Sequence, residues 1–258
     1  IGIARELAVI GLGELINKNV SNIKGTYKSP IKWEINLNSE NKKACSYVKG
    51  RHFRGLKNVE SPEWLKKFLL SIGLKPISSL VDLTNFITFD LGRPLHVFDA
   101  SKIKNNLTIR MAKEGENLLA LDGKNYDLNE SILVISDENN PVSIAGVMGG
   151  EESSCDQNTT EIFIESAYFH PKNIATSGRS LNILSDARYR FERGIDPNYV
   201  DRGIDTMTEL VLEICGGEVS EEEQTGIIEF TKKVIVFNSD KVLQIGGVEI
   251  NKIKQKDI

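Results

Sequence analysis

Four polar side chains stand in stretches that are otherwise apolar or irregular, and their types suit chemistry on a hydroxyl group or on water. Glu165 ends the apolar run 162–164, and a carboxylate accepts hydrogen bonds. His96 could orient water, or act as a general base if it reaches the attacking water at ~2.6–3.2 Å. Thr84 and Asn85 interrupt an apolar helix pattern, and an asparagine amide can both donate to and accept from water.

Each of these side chains also has a purely structural interpretation. Glu165 could be a strand-end carboxylate that faces solvent, and His96 could cap the helix before it. Thr84 and Asn85 could form hydrogen bonds back to their own chain, as such residues often do inside helices. For Glu165 and His96 the sequence pattern alone favours the structural interpretation.

Three residues without bulk, Ala145, Gly146 and Gly149, lie in one short string. They would leave room for an aromatic ligand and let its polar groups approach the backbone. Alternatively they form a turn or a bulge with unusual dihedral angles. The two interpretations are compatible.

Hydrophobic periodicity predicts the elements that hold these residues. Helices are expected over residues 1–10, 61–72, 78–91, 171–215 and 239–245, and strands over 31–37, 45–49, 234–237 and through a β-rich stretch, 107–168. Asp122-Gly123 indicates a hairpin, and Pro94 predicts a loop across 93–99. Because helices and strands are intermixed and the strands cluster in hairpins, the predicted fold class is α+β.

The second helix has a recognisable start. Ser61 is expected to cap it, Pro62 to occupy its first position, and Glu63 to favour its positive end. Gly73 is expected to end it. Its buried face is predicted to consist of five apolar residues: Trp64, Leu65, Phe68, Leu69 and Ile72.

Composition indicates an ordinary soluble protein. The 258 residues are 40% hydrophobic and 26% charged, with a formal net charge of −4. That charge argues against a freestanding nucleic-acid binder, which usually carries a basic face. Cys45, Cys155 and Cys215 and the scattered histidines lack metal-ligand spacing, which predicts no metal site and a reduced, cytoplasmic protein. No apolar run has the length of a membrane span.

The ends of the sequence predict a piece of a longer polypeptide. The chain begins without Met and already within a helical pattern, and it stops in the middle of another pattern.

Several strings of residues, in one order and with matching gaps, resemble the beta subunit of bacterial phenylalanyl-tRNA synthetase. They are residues 81–85 (VDLTN), 92–99 (GRPLHVFD), 145–151 (AGVMGGE), 164–169 (IESAYF) and 185–197 (SDARYRFERGIDP). An ordered set of strings is far more specific than one glycine-rich motif. The resemblance runs from Ile1 nearly to the end of the chain.

In that family the matching region edits mischarged tRNA by hydrolysis. The resemblance therefore implies that Glu165 reads the hydroxyl of tyrosine, and that His96, Thr84 and Asn85 position the ester and the water. It implies a pocket completed by Pro94, Ala145, Gly146, Gly149, Ser185 and Ala187, with no metal. The sequence departs from the family at Leu184, where histidine is common.

The resemblance also implies partners and boundaries. Residues 1–20 would end a preceding domain, 21–228 would form the tRNA-editing domain, and 229–258 would begin a following one. The family works as an alpha2beta2 heterotetramer on tRNA(Phe), whose acceptor end would reach this site, and its ATP and magnesium belong to synthesis in the intact enzyme. We expect no cofactor in this piece. The alternative is a non-catalytic tRNA-binding or scaffolding module of the same synthetase.

Overall fold

A computed structural model describes residues 1–16, 20, 22–228 and 234–257 of the chain. Within them the helices are α1 Gly2–Val9, α2 Glu63–Ser71, α3 Ser79–Asp90, α4 Pro171–Ser180, α5 Asp186–Phe191, α6 Tyr199–Ile214, α7 Asp240–Gly246 and α8 Lys252–Asp257, with a 3₁₀ turn at Ala100–Lys102. The strands are β1 Trp33–Asn36, β2 Cys45–Arg54, β3 His96–Asp99, β4 Leu107–Met111, β5 Asn117–Leu119, β6 Asn125–Asp127, β7 Leu133–Ser136, β8 Pro141–Ile144, β9 Met148–Gly149, β10 Glu161–Phe169, β11 Glu218–Val219 and β12 Glu223–Gly226.

The chain divides into two units, one formed by Lys18–Ile228 and the other by Ile1–Asn17 with Glu229–Ile258. The smaller unit contributes α1, α7 and α8. The larger one carries all of the candidate site residues. That this larger unit is a separate tRNA-editing domain stays a prediction.

Two five-stranded sheets and a hairpin form the β-structure of the larger unit. One sheet has the order β1-β4-β7-β8-β9, and the other has the order β11-β2-β10-β3 with β12 also paired to β2. All of these pairings are antiparallel except that of β1 with β4. The α+β prediction is confirmed, and so is the hairpin at Asp122-Gly123, which joins β5 to β6.

Strand β10 is buried on both faces. Phe163 and Ala167 belong to a core shared by the two sheets, whereas Ile162 and Ile164 belong to a second core with helices α2, α3 and α6. Successive side chains of a strand point to opposite faces. Glu165 therefore lies on the face of Phe163 and Ala167, toward the other sheet.

The helix predictions for α1, α3 and α7 are confirmed, and Gly73 (φ +82°) and Gly92 (φ +66°) follow the ends of α2 and α3. The predicted cap of α2 is wrong. Pro62 is the N-cap residue in extended conformation, and the Ser61 hydroxyl instead donates to the Asp82 carboxylate at 2.5 Å. Asp82 is buried in α3, and a buried carboxylate without hydrogen-bond donors is costly. The Ser61 hydroxyl is therefore used by Asp82 and not by the start of α2.

The buried face of α2 is narrower than predicted. Leu65 and Leu69 are fully buried, but Trp64 and Ile72 are exposed. Trp64 instead packs edge-on against the Phe86 ring of α3, with centroids 5.3 Å apart.

Two predictions of backbone conformation are also wrong. His96 begins strand β3 rather than lying in a loop, because β10 supplies the hydrogen-bonding partner that a short strand after proline needs. Val234–Phe237 form no strand. All four side chains are exposed, and no described strand pairs with them.

Candidate functional site

The candidate site is centred on two strands of one sheet. Glu165 of β10 lies directly opposite His96 of β3 in the antiparallel register. Side chains in such a pair share one face of the sheet and lie close together. The pairing brings a carboxyl and an imidazole, which are distant in the sequence, to the inner face that looks toward the other sheet.

A small cavity opens at this pair. Its volume is about 60 Å³, room for about two water molecules. Its lining contains six of the residues singled out from the sequence: Pro94, His96, Gly146, Gly149, Glu165 and Ala187. The other lining residues are Leu95, Ser143, Val147, Met148 and Phe191.

Glu165 is a buried carboxyl with an unused acceptor. The residue is 4% exposed, and its Oε1 atom has no hydrogen-bond partner in the described part of the chain. Burial raises the pKa of Glu165 to about 7, against the lowering effects of the Arg93 charge and the Ala167 backbone amide. The side chain is therefore not the solvent-facing carboxylate of the structural interpretation, and it offers a strong acceptor to a ligand that enters the cavity.

His96 presents a neutral imidazole. Burial lowers its pKa to about 4, so the ring carries no charge at neutral pH. Its Nε2 atom is buried, and none of the described residues forms a hydrogen bond with it. The ring packs edge-on against Phe98 with centroids 4.4 Å apart. A neutral imidazole can accept a proton or a hydrogen bond at this nitrogen, depending on its tautomer.

The two glycines of the lining are required for different reasons. A Cβ atom on Gly149 would lie 2.4 Å from His96 Cε1, so any side chain there would collide with the imidazole. Gly146 has φ +66° in the turn where the Val147 N–H donates to the Ile144 carbonyl. A Cβ atom there would also lie 2.9 Å from the Phe169 ring. The turn interpretation of Gly146 is confirmed, and the interpretation that it leaves room for a ligand stays a prediction.

Four of the singled-out residues do not line the cavity. Ala145 is fully buried beside it. Ser185 is the N-cap of α5 and also donates to the Val147 carbonyl at 2.6 Å. Thr84 donates to the Val81 carbonyl at 2.7 Å, the back-bonding arrangement. Asn85 is half-buried on α3.

Leu184 lies away from the cavity wall. It is 85% exposed and is absent from the lining. The departure from the family pattern at this position therefore lies outside the lining of this cavity.

Four of the five lining residues that sequence reasoning missed fall within the strings that carry the resemblance. Val147 and Met148 separate the two glycines, Leu95 separates Pro94 from His96, and Phe191 ends α5. Their position inside those strings was the available signal. Ser143 had none, because its place depends on the pairing of β8 with β9.

In the described part of the chain, no group of three or more His, Cys, Asp or Glu side chains could hold a metal ion. Over the same residues, no helix is both long and apolar enough to cross a membrane. Three arginines on α5 and just after it form ion pairs with nearby acids: Arg188 and Arg193 with Glu192, and Arg190 with Asp186.

Comparison with known proteins places the chain in a family. The B3/4 domain matches residues 44–216, and the chain belongs to the B3/4 domain family. The phenylalanine–tRNA ligase beta subunits of Paramagnetospirillum magneticum and Mesorhizobium japonicum are both 48% identical to it over 257 residues. This confirms the resemblance seen in the strings. The alignments cover the whole chain and 32% of each relative, so the chain spans about a third of their length.

Among solved structures, an N-terminal fragment of the phenylalanyl-tRNA synthetase beta subunit from Pyrococcus horikoshii matches 99% of this chain and 70% of its own length, with 16% identity and a TM-score of 0.48.

Proposed function

We propose that this chain carries the editing site of a phenylalanine–tRNA ligase beta subunit and hydrolyses Tyr-tRNA(Phe). Water adds to the carbonyl carbon of the ester, the ester C–O bond breaks, and tyrosine and the free terminal ribose are released. The observation that carries the proposal is the buried Glu165 carboxyl, which lines the cavity and whose Oε1 atom has no hydrogen-bond partner among the described residues.

The need for such a site follows from the chemistry of discrimination. A pocket shaped for phenylalanine cannot strongly reject an analogue that merely adds a hydroxyl. A second site can select for the hydroxyl instead, because an ionised Glu165 accepts a hydrogen bond from the phenol of tyrosine. Phenylalanine would leave the carboxylate buried and unpaired, at a cost of about 1–3 kcal/mol or more.

The cavity must enlarge to admit a side chain of that size. Ligand pockets usually hold roughly 300–1,000 Å³, and this one holds about 60 Å³. Met148 is the most adaptable part of its lining. Leu121 is the other candidate for displacement, since it is exposed and lies against Gly149.

We assign the ester end of the substrate to His96. Its neutral imidazole would orient or deprotonate the attacking water through Nε2. Backbone N–H groups near Gly146 would stabilise the oxyanion. The N–H of Val147 is not one of them, because it already donates to the Ile144 carbonyl. Thr84 and Asn85 remain candidates for water positioning, on a helix that packs against β3.

The remaining parts of the function belong to the longer protein. We propose that it pairs with an alpha subunit in an alpha2beta2 assembly in the cytoplasm, with ATP and magnesium serving synthesis elsewhere in the enzyme. The acceptor end of tRNA(Phe) would enter this cavity. Most of the tRNA affinity would come from other modules, consistent with the acidic balance of this chain.

The test uses the complete synthetase and measures release of tyrosine from Tyr-tRNA(Phe). Glu165→Ala and Glu165→Gln are expected to lose most of this release. Glu161→Gln is the matched control, since Glu161 is an exposed carboxylate on the same strand. Clearance as fast as wild type in both Glu165 variants would remove the assigned role. If the wild-type synthetase itself releases no tyrosine but binds tRNA, the scaffolding alternative holds.

A further inference from the structure

A fully buried arginine lies behind the candidate site. Arg93, between α3 and β3, has no exposed surface. Its Nε donates to the Ser166 hydroxyl at 3.1 Å, and its Nη2 donates to the Ala167 carbonyl. Both acceptors follow Glu165 on β10. The guanidinium is therefore attached to the stretch of strand that presents the carboxyl.

The charge of Arg93 has no direct counter-ion. Among the described residues, no carboxylate forms an ion pair with it within 4.0 Å, and its Nη1 atom has no hydrogen-bond partner. Glu165 Oε1, also buried, has none either. Buried charges are normally compensated. The two groups act on each other electrostatically, although no ion pair joins them among the described residues.

Neighbouring elements hold the guanidinium in place. Its Cζ lies 5.6 Å from the centroid of the Phe191 ring, which lines the cavity. A Cβ atom on Gly203 of α6 would lie 3.0 Å from Arg93 Cγ, so the helix lies close against the side-chain stem. Arg93 itself is not part of the cavity lining.

We propose that Arg93 is a specificity-determining positioning residue, a buried cation that keeps the Glu165 carboxyl ionised and ready to accept the tyrosine hydroxyl without touching the ligand. This inference rests on the proposed function. An ionised acceptor makes a hydrogen bond about twice as strong as a neutral one. It also makes the unpaired complex with phenylalanine more costly.

The other groups around Glu165 do not supply a positive charge. His96 across the strand pair is neutral, because burial holds its pKa at about 4. Cys45 of β2 interacts electrostatically with Glu165, but burial raises the pKa of the thiol, which stays protonated. Asp201 of α6 interacts electrostatically with Arg93 and raises the pKa of the guanidinium. The pKa of Arg93 falls only to about 10, so Arg93 is charged at neutral pH.

The direction of the effect follows from the charges. Burial raises the pKa of Glu165 to about 7 although Arg93 opposes this. Without Arg93 the pKa rises further, and the carboxyl becomes protonated at a higher pH. Preference for tyrosine over phenylalanine is then lost at a pH where the wild-type enzyme still retains it.

The experiment compares Arg93→Met and Arg93→Lys with wild type in the complete synthetase, measuring hydrolysis of Tyr-tRNA(Phe) and Phe-tRNA(Phe) across neutral pH. In Arg93→Met the midpoint of the tyrosine preference is expected to move upward by about one pH unit. Arg93→Lys keeps the charge and should keep a midpoint near that of wild type. Arg51→Met is the matched control. Arg51 is also a buried arginine that donates to backbone carbonyls, but it does not act on Glu165, so its replacement should leave the midpoint in place.

The variant Glu165→Gln separates this inference from the proposed function. If Arg93 acts through Glu165, Arg93→Met adds no further loss of preference in the Glu165→Gln background. Unchanged preference in Glu165→Gln alone overturns the proposed function. Loss of preference in Glu165→Gln, with an unmoved midpoint in Arg93→Met or an independent further loss in the double variant, overturns only the role of Arg93.

A failure of Arg93→Met to fold still leaves a decisive comparison. At a pH where Glu165 is still ionised without Arg93, removing the carboxylate in the double variant Arg93→Met/Glu165→Gln should restore part of the soluble, folded protein, because the uncompensated charge is gone. No recovery in the double variant, together with a displaced midpoint in Arg93→Lys, contradicts the inference.

Discussion

Glu165 and His96 face each other across the β10–β3 pair, and each has a buried polar atom that forms no hydrogen bond with any described residue. Buried polar atoms are nearly always hydrogen-bonded within a folded protein. Two such exceptions side by side, at one small cavity, mark a place where a ligand can supply the missing partners.

Replacing Gly149 should close the cavity beside Glu165 and His96. In Gly149→Ala the new methyl group would lie 2.4 Å from His96 Cε1 and 2.9 Å from Nε2, so the imidazole must shift. We expect loss of tyrosine release and a destabilisation of about 1–3 kcal/mol from overpacking, measured by Tyr-tRNA(Phe) hydrolysis and by denaturant unfolding. Gly246→Ala, where the added methyl group meets open space, is the control and should leave tyrosine release unchanged without destabilising the protein.

The buried Glu165 carboxyl should make stability depend on pH. Its pKa is raised from 4.5 to about 7 in the folded protein, so the folded state binds its proton more tightly than the unfolded state does. The associated stability is full below about pH 4.5 and is lost as pH rises through about 7. Relative to wild type, Glu165→Gln should therefore gain roughly 3 kcal/mol in the free energy of unfolding across this interval.

This pH effect is measured by denaturant unfolding of both proteins at several pH values. Glu161→Gln, on the exposed end of the same strand, should unfold in parallel with wild type. A constant difference between Glu165→Gln and wild type over the whole interval would contradict the raised pKa.

Removing the imidazole should impair hydrolysis without unfolding the protein. His96→Ala is expected to lower tyrosine release by about 10²-fold, the smaller end of what a positioned acid or base contributes. His170→Ala, at the N-cap of α4 and outside the cavity, should retain wild-type release. If His96→Ala retains activity, groups other than His96 position the water, and Asn85 is the first residue to test.

The Ser61–Asp82 contact should matter for stability alone. Ser61→Ala leaves the buried Asp82 carboxylate with one donor fewer, although the Ile77 N–H still donates to it at 2.9 Å. We expect a loss of about 1–3 kcal/mol in the free energy of unfolding, with tyrosine release unchanged. Ser71→Ala, an exposed serine at the end of α2, should cost far less.

The sequence predicts those parts of the fold that local chemistry controls. The apolar periodicity and Gly92 are sufficient to place α3, and Asp122-Gly123 is sufficient to place the hairpin. Strand β3 escapes prediction because four residues after a proline carry little local signal, and their conformation depends on pairing with β10. The Ser61 hydroxyl likewise is used by a distant carboxylate rather than by the adjacent helix.

The candidate site, too, combines features that local sequence predicts with features that depend on distant contacts. Glu165 and His96 are recognisable as residue types, but their burial and their pairing are properties of the assembled sheet. The sequence around Arg93 gives the least indication of its role, because that role depends on hydrogen bonds to Ser166 and Ala167 on another strand.

The two-sided burial of β10 makes the specificity of this site sensitive to insertions and deletions. A strand that slips by one residue presents the opposite set of side chains to each face. One residue gained or lost between Glu161 and Glu165 would turn the carboxyl toward the packed helices and bring an isoleucine or a serine to the cavity. Length variation among relatives should therefore be tolerated in the connecting loops of this unit and excluded from this one strand.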